Sequence, residues 1–230
     1  MGLLNAIPGF CIRGEHWALG ATMFQASMKV TRTSQMSQDR GPGVKGGVSY
    51  TTHPWYGAEN YDEDLFSEDA RSLIVNQLKP PPDARAVGFK EIRWFGPDAG
   101  DANLWSYLRF LEKVFPGAKF IFLTRNIDDI LTSAWWAKRD RTSASDFISS
   151  FYLLMRNAPV ENLFEIDYSD LAVGNPRLIQ MYEFLGEHYD AASVEKVLAT
   201  PHNSSTPPQM RSGPPDREAA RLLDGDGPAA

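Results

Sequence analysis

The sequence predicts an α/β fold, three layers in which a parallel sheet is flanked by helices. Three observations predict it. Residues 101–115 repeat Leu104, Tyr107, Leu108, Leu111 and Phe115 at spacings of three and four, with Asp101 as a cap and Pro116-Gly117 as a stop. Directly after it, Phe120-Ile121-Phe122-Leu123 is an unbroken apolar run, the pattern of a strand buried on both faces. A helix feeding a buried strand is half of a right-handed crossover, which sets strands parallel.

The remaining elements follow in order. Residues 1–7 suit a short helix stopped by Pro8-Gly9, and Phe10-Cys11-Ile12 a short strand leading to Arg13-Gly14-Glu15. Residues 16–29 read as a helix with Leu19, Met23 and Ala26 inward. Residues 31–60, rich in Gly, Ser, Thr and Pro, read as a long loop. Its His53, Trp55 and Tyr56 suit either the floor of a sugar or aromatic acceptor site or a simple anchor to the core. Residues 61–78 form a helix with Leu65, Ala70, Leu73 and Ile74 on its apolar side, ended by three prolines. AVGFK (86–90) is the next buried strand. After the 120–123 strand, Asn126 caps a helix with Asp128 and Asp129 in its first turn and Ile130, Leu131, Ala134 and Trp135 on its apolar side. Residues 145–157 form a helix with Phe147, Ile148, Phe151 and Leu154 inward, 163–168 a strand, and 190–200 a short helix. The expected organisation is one domain over 1–200 and a flexible tail over 201–230, where Pro, Gly, Ser and Asp dominate.

Composition narrows the function. Lys plus Arg at 23 against Asp plus Glu at 29 gives a net charge of −6, which disfavours general nucleic-acid binding. One cysteine, Cys11, excludes an internal disulfide and a cysteine-based metal cluster, and His53 lacks a second His at ligand spacing, so no metal is expected. No apolar run approaches the roughly 20 residues of a membrane span. With no charged-then-apolar leader pattern, the expected location is cytoplasmic.

Candidate chemistry sits where strands end, since open α/β sheets bind ligands at their carboxyl ends. Arg125 leaves the 120–123 strand, and Ser133 lies about two turns into the next helix. A planar cationic fork and a hydroxyl converging on one point suit a phosphate monoester. The spacing fits equally an arginine on a carboxylate and a serine facing solvent. Lys138, Arg139 and Arg141 would draw in an anionic nucleotide or form a solvated cluster.

The run FIFLTRN....LTSAWW (120–136) resembles the 3′-phosphate-binding segment of the sulfotransferases, which use 3′-phosphoadenosine 5′-phosphosulfate. The resemblance continues in LLNAIPGFCIRGE (3–15), in the AVGFK strand, and in DYSDL (167–171) with the following helix that ends in FLG (184–186). It implies a P-loop NTPase-like sulfotransferase fold and sulfonate transfer to an acceptor hydroxyl or amine of a small molecule or carbohydrate, without a metal. Arg125 and Ser133 would hold the 3′-phosphate and Tyr168 the adenine. Glu15 would be the general base and Lys90 would lie near the leaving-group oxygen, with Arg93 a weaker candidate. Read alone, Glu15 suits a helix cap, and Lys90, Glu91 and Arg93 a solvated charge cluster. Asn203, Ser204 and Arg211 are loose candidates for a cofactor-covering loop, and Asp170 suits a turn cap. The resemblance also places a strand and an Arg-Ser-Gly-type loop for the 5′-phosphosulfate just before Met1. The expected fold is therefore N-terminally truncated, with a central strand missing, its neighbours' edges unpaired, and a catalytically impaired nucleotide-binding remnant as the alternative function. A P-loop kinase is disfavoured because GxxxxGK[ST] is absent from the sequence.

Overall fold

The computed structural model describes residues 1–16, 18–38, 51–92, 104–132 and 136–200. Helices and parallel strands alternate along one compact unit, Met1–Leu198. Its elements are α1 (Gly2–Asn5), β1 (Phe10–Arg13), α2 (Leu19–Gln38), α3 (Glu63–Leu78), β2 (Ala86–Phe89), α4 (Leu104–Val114), β3 (Phe120–Thr124), α5 (Ile127–Leu131), α6 (Arg141–Arg156), β4 (Leu163–Asp167), α7 (Pro176–Leu185) and α8 (Ala191–Leu198). Residues 201–230, and with them the expected tail and Asn203, Ser204 and Arg211, lie outside the described residues, as do Asp101 and Arg93.

The expected three layers are present. On one face Leu3, Ile7, Leu178, Met181, Tyr182 and Val194 bury the sides of α1, α7 and α8 against Phe164 and Ile166 of β4, with Phe10 and Ile121 packed alongside. On the other face Phe24 of α2, Ala70 of α3 and Tyr107, Phe110, Leu111 and Val114 of α4 enclose Phe89 and Phe120. The sheet layer consists of two parallel pairs, β1–β2 and β3–β4.

The hydrogen bonds show how these pairs end. Peptide groups point to alternate sides along a strand. Lys90 N–H donates to Arg13 C=O and Ala86 N–H to Gly9 C=O, so Ala86 and Gly88 face β1 while Val87 and Phe89 face away. Phe120 N–H donates to Asn162 C=O, which leaves Ile121 and Leu123 facing away from β4. Among the described residues these four backbone positions meet no partner, and Val87 and Leu123 are exposed. The two opposite edges are closed by side chains. Asn5 donates to Ile12 C=O at 2.9 Å and accepts its N–H at 2.7 Å, closing β1. Arg177 donates Nε and Nη2 to Glu165 C=O at 3.0 and 2.6 Å, closing β4. Capping an edge is how sheets avoid stray pairing; here two edges are capped and two are not.

Several sequence expectations are corrected. Residues 31–38 are helical, because α2 runs on with no Gly or Pro before Gly41 to stop it. Leu65 and Leu73 of α3 are exposed while Ala70 and Ile74 are buried, so the buried face is narrower than the apolar stripe. In α6, Phe147 and Leu154 are exposed, and the inward positions belong to Ala144, Ile148 and Met155. A surface keeps many apolar side chains because a core has limited area.

Candidate functional site

All four strands point the same way within their pairs, and the chemistry-bearing residues follow their carboxyl ends. Glu15 lies two residues past β1 and Lys90 one past β2, because register sets Arg13 opposite Phe89. Lys90 Nζ donates to Glu15 Oε1 at 3.2 Å, with both side chains partly exposed. The sequence places them 75 positions apart, so parallel pairing alone brings them together. The α-amine of Met1 lies close by; burial and then the Lys90 charge push its pKa down. The expectation that Glu15 caps a helix beginning at His16 is not met, since α2 starts at Leu19.

Arg125 and Tyr168 follow β3 and β4, whose register sets Thr124 opposite Asp167. The Arg125 guanidinium lies over the Tyr168 ring, 5.0 Å from its centroid, and the ring is about half exposed. Arg125 Nε is shielded from solvent without a hydrogen bond; its nearest acid is Asp129, 3.7 Å away one helical turn on. The strand end beneath is held firmly. Tyr152 of α6 accepts Arg125 N–H at 2.9 Å and donates back to Arg125 C=O at 3.0 Å. Thr124 donates to Asp167 Oδ2 at 2.9 Å, and Asp167 also takes bonds from Ser169. These bonds, those from Ser169 foremost, lower the Asp167 pKa. Burial raises that of Tyr152, opposed by its bond to Arg125. Asp170 accepts Asp167 N–H at 3.3 Å, completing a capping box, as expected of it.

Ser133 lies outside the described residues, as do Ala134 and Trp135; α5 is described only to Leu131, with Thr132 as its cap. The basic cluster downstream is partly neutralised: Arg141 bonds Asp128 at 2.7 Å, and Arg139 rests over Trp136. His53, Trp55 and Tyr56 lie in an outer turn. There the His53 ring accepts Trp55 N–H at 3.0 Å and both aromatics are exposed. Among the described residues no three His, Cys, Asp or Glu side chains group as metal ligands.

The match to a family is extensive. The family model described as "Sulfotransferase family" matches residues 2–191, from α1 through the strand ends just described to the start of α8. The chain belongs to the sulfotransferase family. Searches of curated proteins and of solved structures returned no match. No described helix is long and apolar enough to cross a membrane.

Sequence reading missed three groups around these strand ends. Tyr152 carried no signal, because a tyrosine in an amphipathic helix looks like any core aromatic. Asp129 was visible only as a first-turn acid, although its spacing of four from Arg125 is the helical contact distance. Glu91 looked like part of a solvated charge run, yet its side chain is 1% exposed. Lys90 and Glu91 lie on opposite sides of an extended segment, so one turns out and the other in.

Proposed function

We propose that the protein transfers a sulfonate group from 3′-phosphoadenosine 5′-phosphosulfate to an acceptor hydroxyl or amine of a small molecule or carbohydrate. The observation that carries this is the Arg125–Tyr168 pair: a cation for the 3′-phosphate and an open aromatic face for the adenine, 5.0 Å apart at adjacent strand ends. The residues fit that nucleotide. The Arg125 side chain is 42% exposed and its pairing with Asp129 is long, 3.7 Å, so the guanidinium can turn to a phosphate, and Ser133 is proposed as its second ligand.

The nucleotide supplies an activated sulfur–oxygen bond. Glu15 takes the proton of the acceptor as its oxygen or nitrogen forms the new bond to sulfur. Lys90, bonded to Glu15, orients that carboxylate and places a positive charge where the leaving phosphate oxygen gains negative charge. The proton ends on Glu15 and the electron pair of the broken bond on the nucleotide phosphate.

A second reading, a catalytically impaired nucleotide-binding remnant, is favoured by the unpaired inner edges of β2 and β3. One experiment separates the readings. Isothermal titration with 3′-phosphoadenosine 5′-phosphate should show Arg125→Ala binding weaker by about 1.5–3 kcal/mol, the worth of a hydrogen bond to a charged group. Glu15→Gln should bind normally and lose sulfonate transfer. Normal binding by Arg125→Ala refutes the nucleotide site; binding without transfer in the parent protein selects the remnant.

A further inference from the structure

We propose that Glu91 is a positioning residue for Glu15, holding the turn between β1 and α2 so that the Glu15 carboxylate meets Lys90. The inference rests on the sulfonate-transfer reading above. Glu91 follows Lys90 at the end of β2 and turns inward, its carboxylate 1% exposed. Oε1 accepts the N–H of Ile92 at 2.8 Å, and Oε2 accepts the N–H of Ala18 at 2.9 Å. Oε2 also lies 3.5 Å from His16 Nδ1, while that nitrogen takes Leu19 N–H at 3.1 Å and the ring rests edge-on against Phe89. One buried carboxylate thus bonds the residue that follows it and reaches across to the segment that carries Glu15.

The backbone shows what this grip does. Ala18 has φ of +60°, a conformation L residues other than glycine avoid, and it is 2% exposed. Such a residue persists only where its surroundings over-determine it. The Glu91 bond to its N–H is one polar contact that does so, beside the bond from Thr22 N–H to Ala18 C=O at 3.0 Å. Ala18 takes its left-handed conformation just before α2, three residues after Glu15, and so helps to set where Glu15 leaves the strand end. Two pairs are formed crosswise by the same two strand ends: Glu15 with Lys90 outward, and the Ala18 turn and His16 with Glu91 inward. Loss of the inner pair frees the turn and lets the outer pair drift.

The geometry yields a test that a merely structural role would not satisfy. Glu91→Ala removes both bonds, and Ala18→Gly removes the reason they are needed, because glycine takes positive φ without penalty. Transfer by Glu91→Ala should fall about tenfold or more at saturating nucleotide, since small misplacements of reacting groups are costly. Its affinity for 3′-phosphoadenosine 5′-phosphate, read at Arg125, should stay within about twofold. The double variant Glu91→Ala/Ala18→Gly should recover most of the lost transfer. Amide exchange at Ala18 and Leu19, followed by NMR in the unliganded proteins, should accelerate in Glu91→Ala and return toward the parent in the double variant. This second readout stands whether or not the parent turns over. Unchanged exchange in Glu91→Ala, or an equal transfer deficit in the single and double variants, overturns the proposal. Loss of nucleotide binding in the parent protein instead overturns the reading on which it rests.

Discussion

Replacing Tyr152 with Phe should loosen the strand end that carries Arg125 and should cost stability out of proportion to one oxygen atom. The hydroxyl both accepts Arg125 N–H and donates to Arg125 C=O, at 2.9 and 3.0 Å. Phenylalanine keeps the edge-on packing of the ring against Phe122, 5.4 Å between centroids, and deletes only the two bonds. Both partners are backbone groups at a part-buried position, so the loss is about 1–3 kcal/mol in total, less where water replaces the hydroxyl. In a domain of this size each kcal/mol moves Tm by about 2–4 °C, which puts the drop at roughly 2–12 °C. Urea unfolding followed by circular dichroism measures the free energy, and a thermal scan the Tm. Tyr168→Phe is the control: its hydroxyl makes no bond among the described residues, so its Tm should match the parent. Nucleotide affinity should also fall in Tyr152→Phe, because Arg125 is then held by a frayed strand end. A Tm within about 1 °C of the parent, with urea unfolding unchanged, would show that the bridge contributes nothing and that Arg125 is held in another way.

Three further outcomes are expected. Asp129→Asn should tighten binding of 3′-phosphoadenosine 5′-phosphate by about 1.4- to 5-fold, because the exposed carboxylate 3.7 Å from Arg125 Nε competes with phosphate through a pair worth roughly 0.2–1 kcal/mol; titration calorimetry measures it. Amides of Val87, Phe89, Ile121 and Leu123 should exchange faster than those of Gly88 and Phe122 in the same strands, as followed by NMR, because only the latter face a partner strand. Acid should destabilise the fold through Asp167. Its pKa is held below the usual carboxylate value of 3.8, so its contribution is present above that value and lost as pH falls through the lower folded value. Asp167→Asn should flatten the fall in Tm below about pH 4, and an unchanged acid limb would remove Asp167 from that role.

How far the sequence could be read depended on whether local pattern or tertiary partner decided each position. Helix α4 was legible because Leu104, Tyr107, Leu108 and Leu111 of its apolar stripe are all buried, with Phe115 packed partly buried just past its end, and Pro116-Gly117 marks its stop. Asp170 was legible for the same reason, a short polar side chain in a turn having few uses besides capping. Helix α6 was not, because Phe147 and Leu154 satisfy the 3.6 period as well as Ile148 does; only its neighbours, Leu131 of α5 among them, decide which face is covered. The polar second half of α2 looked like loop because Ser and Thr compete for backbone hydrogen bonds. Once a helix is running, those residues do not stop it. Spacing left the role of Arg125 undecided between a phosphate and a carboxylate; the structure shows a carboxylate one turn away, 3.7 Å from Nε, and an aromatic ring beside it. The partnership of Glu15 and Lys90 was beyond local reading altogether, being fixed by which strands pair.

The two strand pairs also divide the chemistry. β1 and β2 end in Glu15, Lys90 and Glu91, the residues proposed to move and place a proton; β3 and β4 end in Arg125 and Tyr168, those proposed to hold the nucleotide. Each pair is stabilised from its own outer side, by Asn5 in one case and Arg177 in the other, and packs on helices common to both. Ladder hydrogen bonds tie residues within a pair; among the described residues no ladder joins one pair to the other, and apolar packing is joined there by side-chain bonds such as Arg85 to Glu187 and Tyr182 to Leu3 C=O. Apolar packing is non-directional. No ladder sets the distance between the two halves, and it is the dimension on which the proposed in-line transfer from nucleotide to acceptor would depend. On the proposed function, nucleotide binding would draw on the β3–β4 half alone, while sulfonate transfer would need both halves in register.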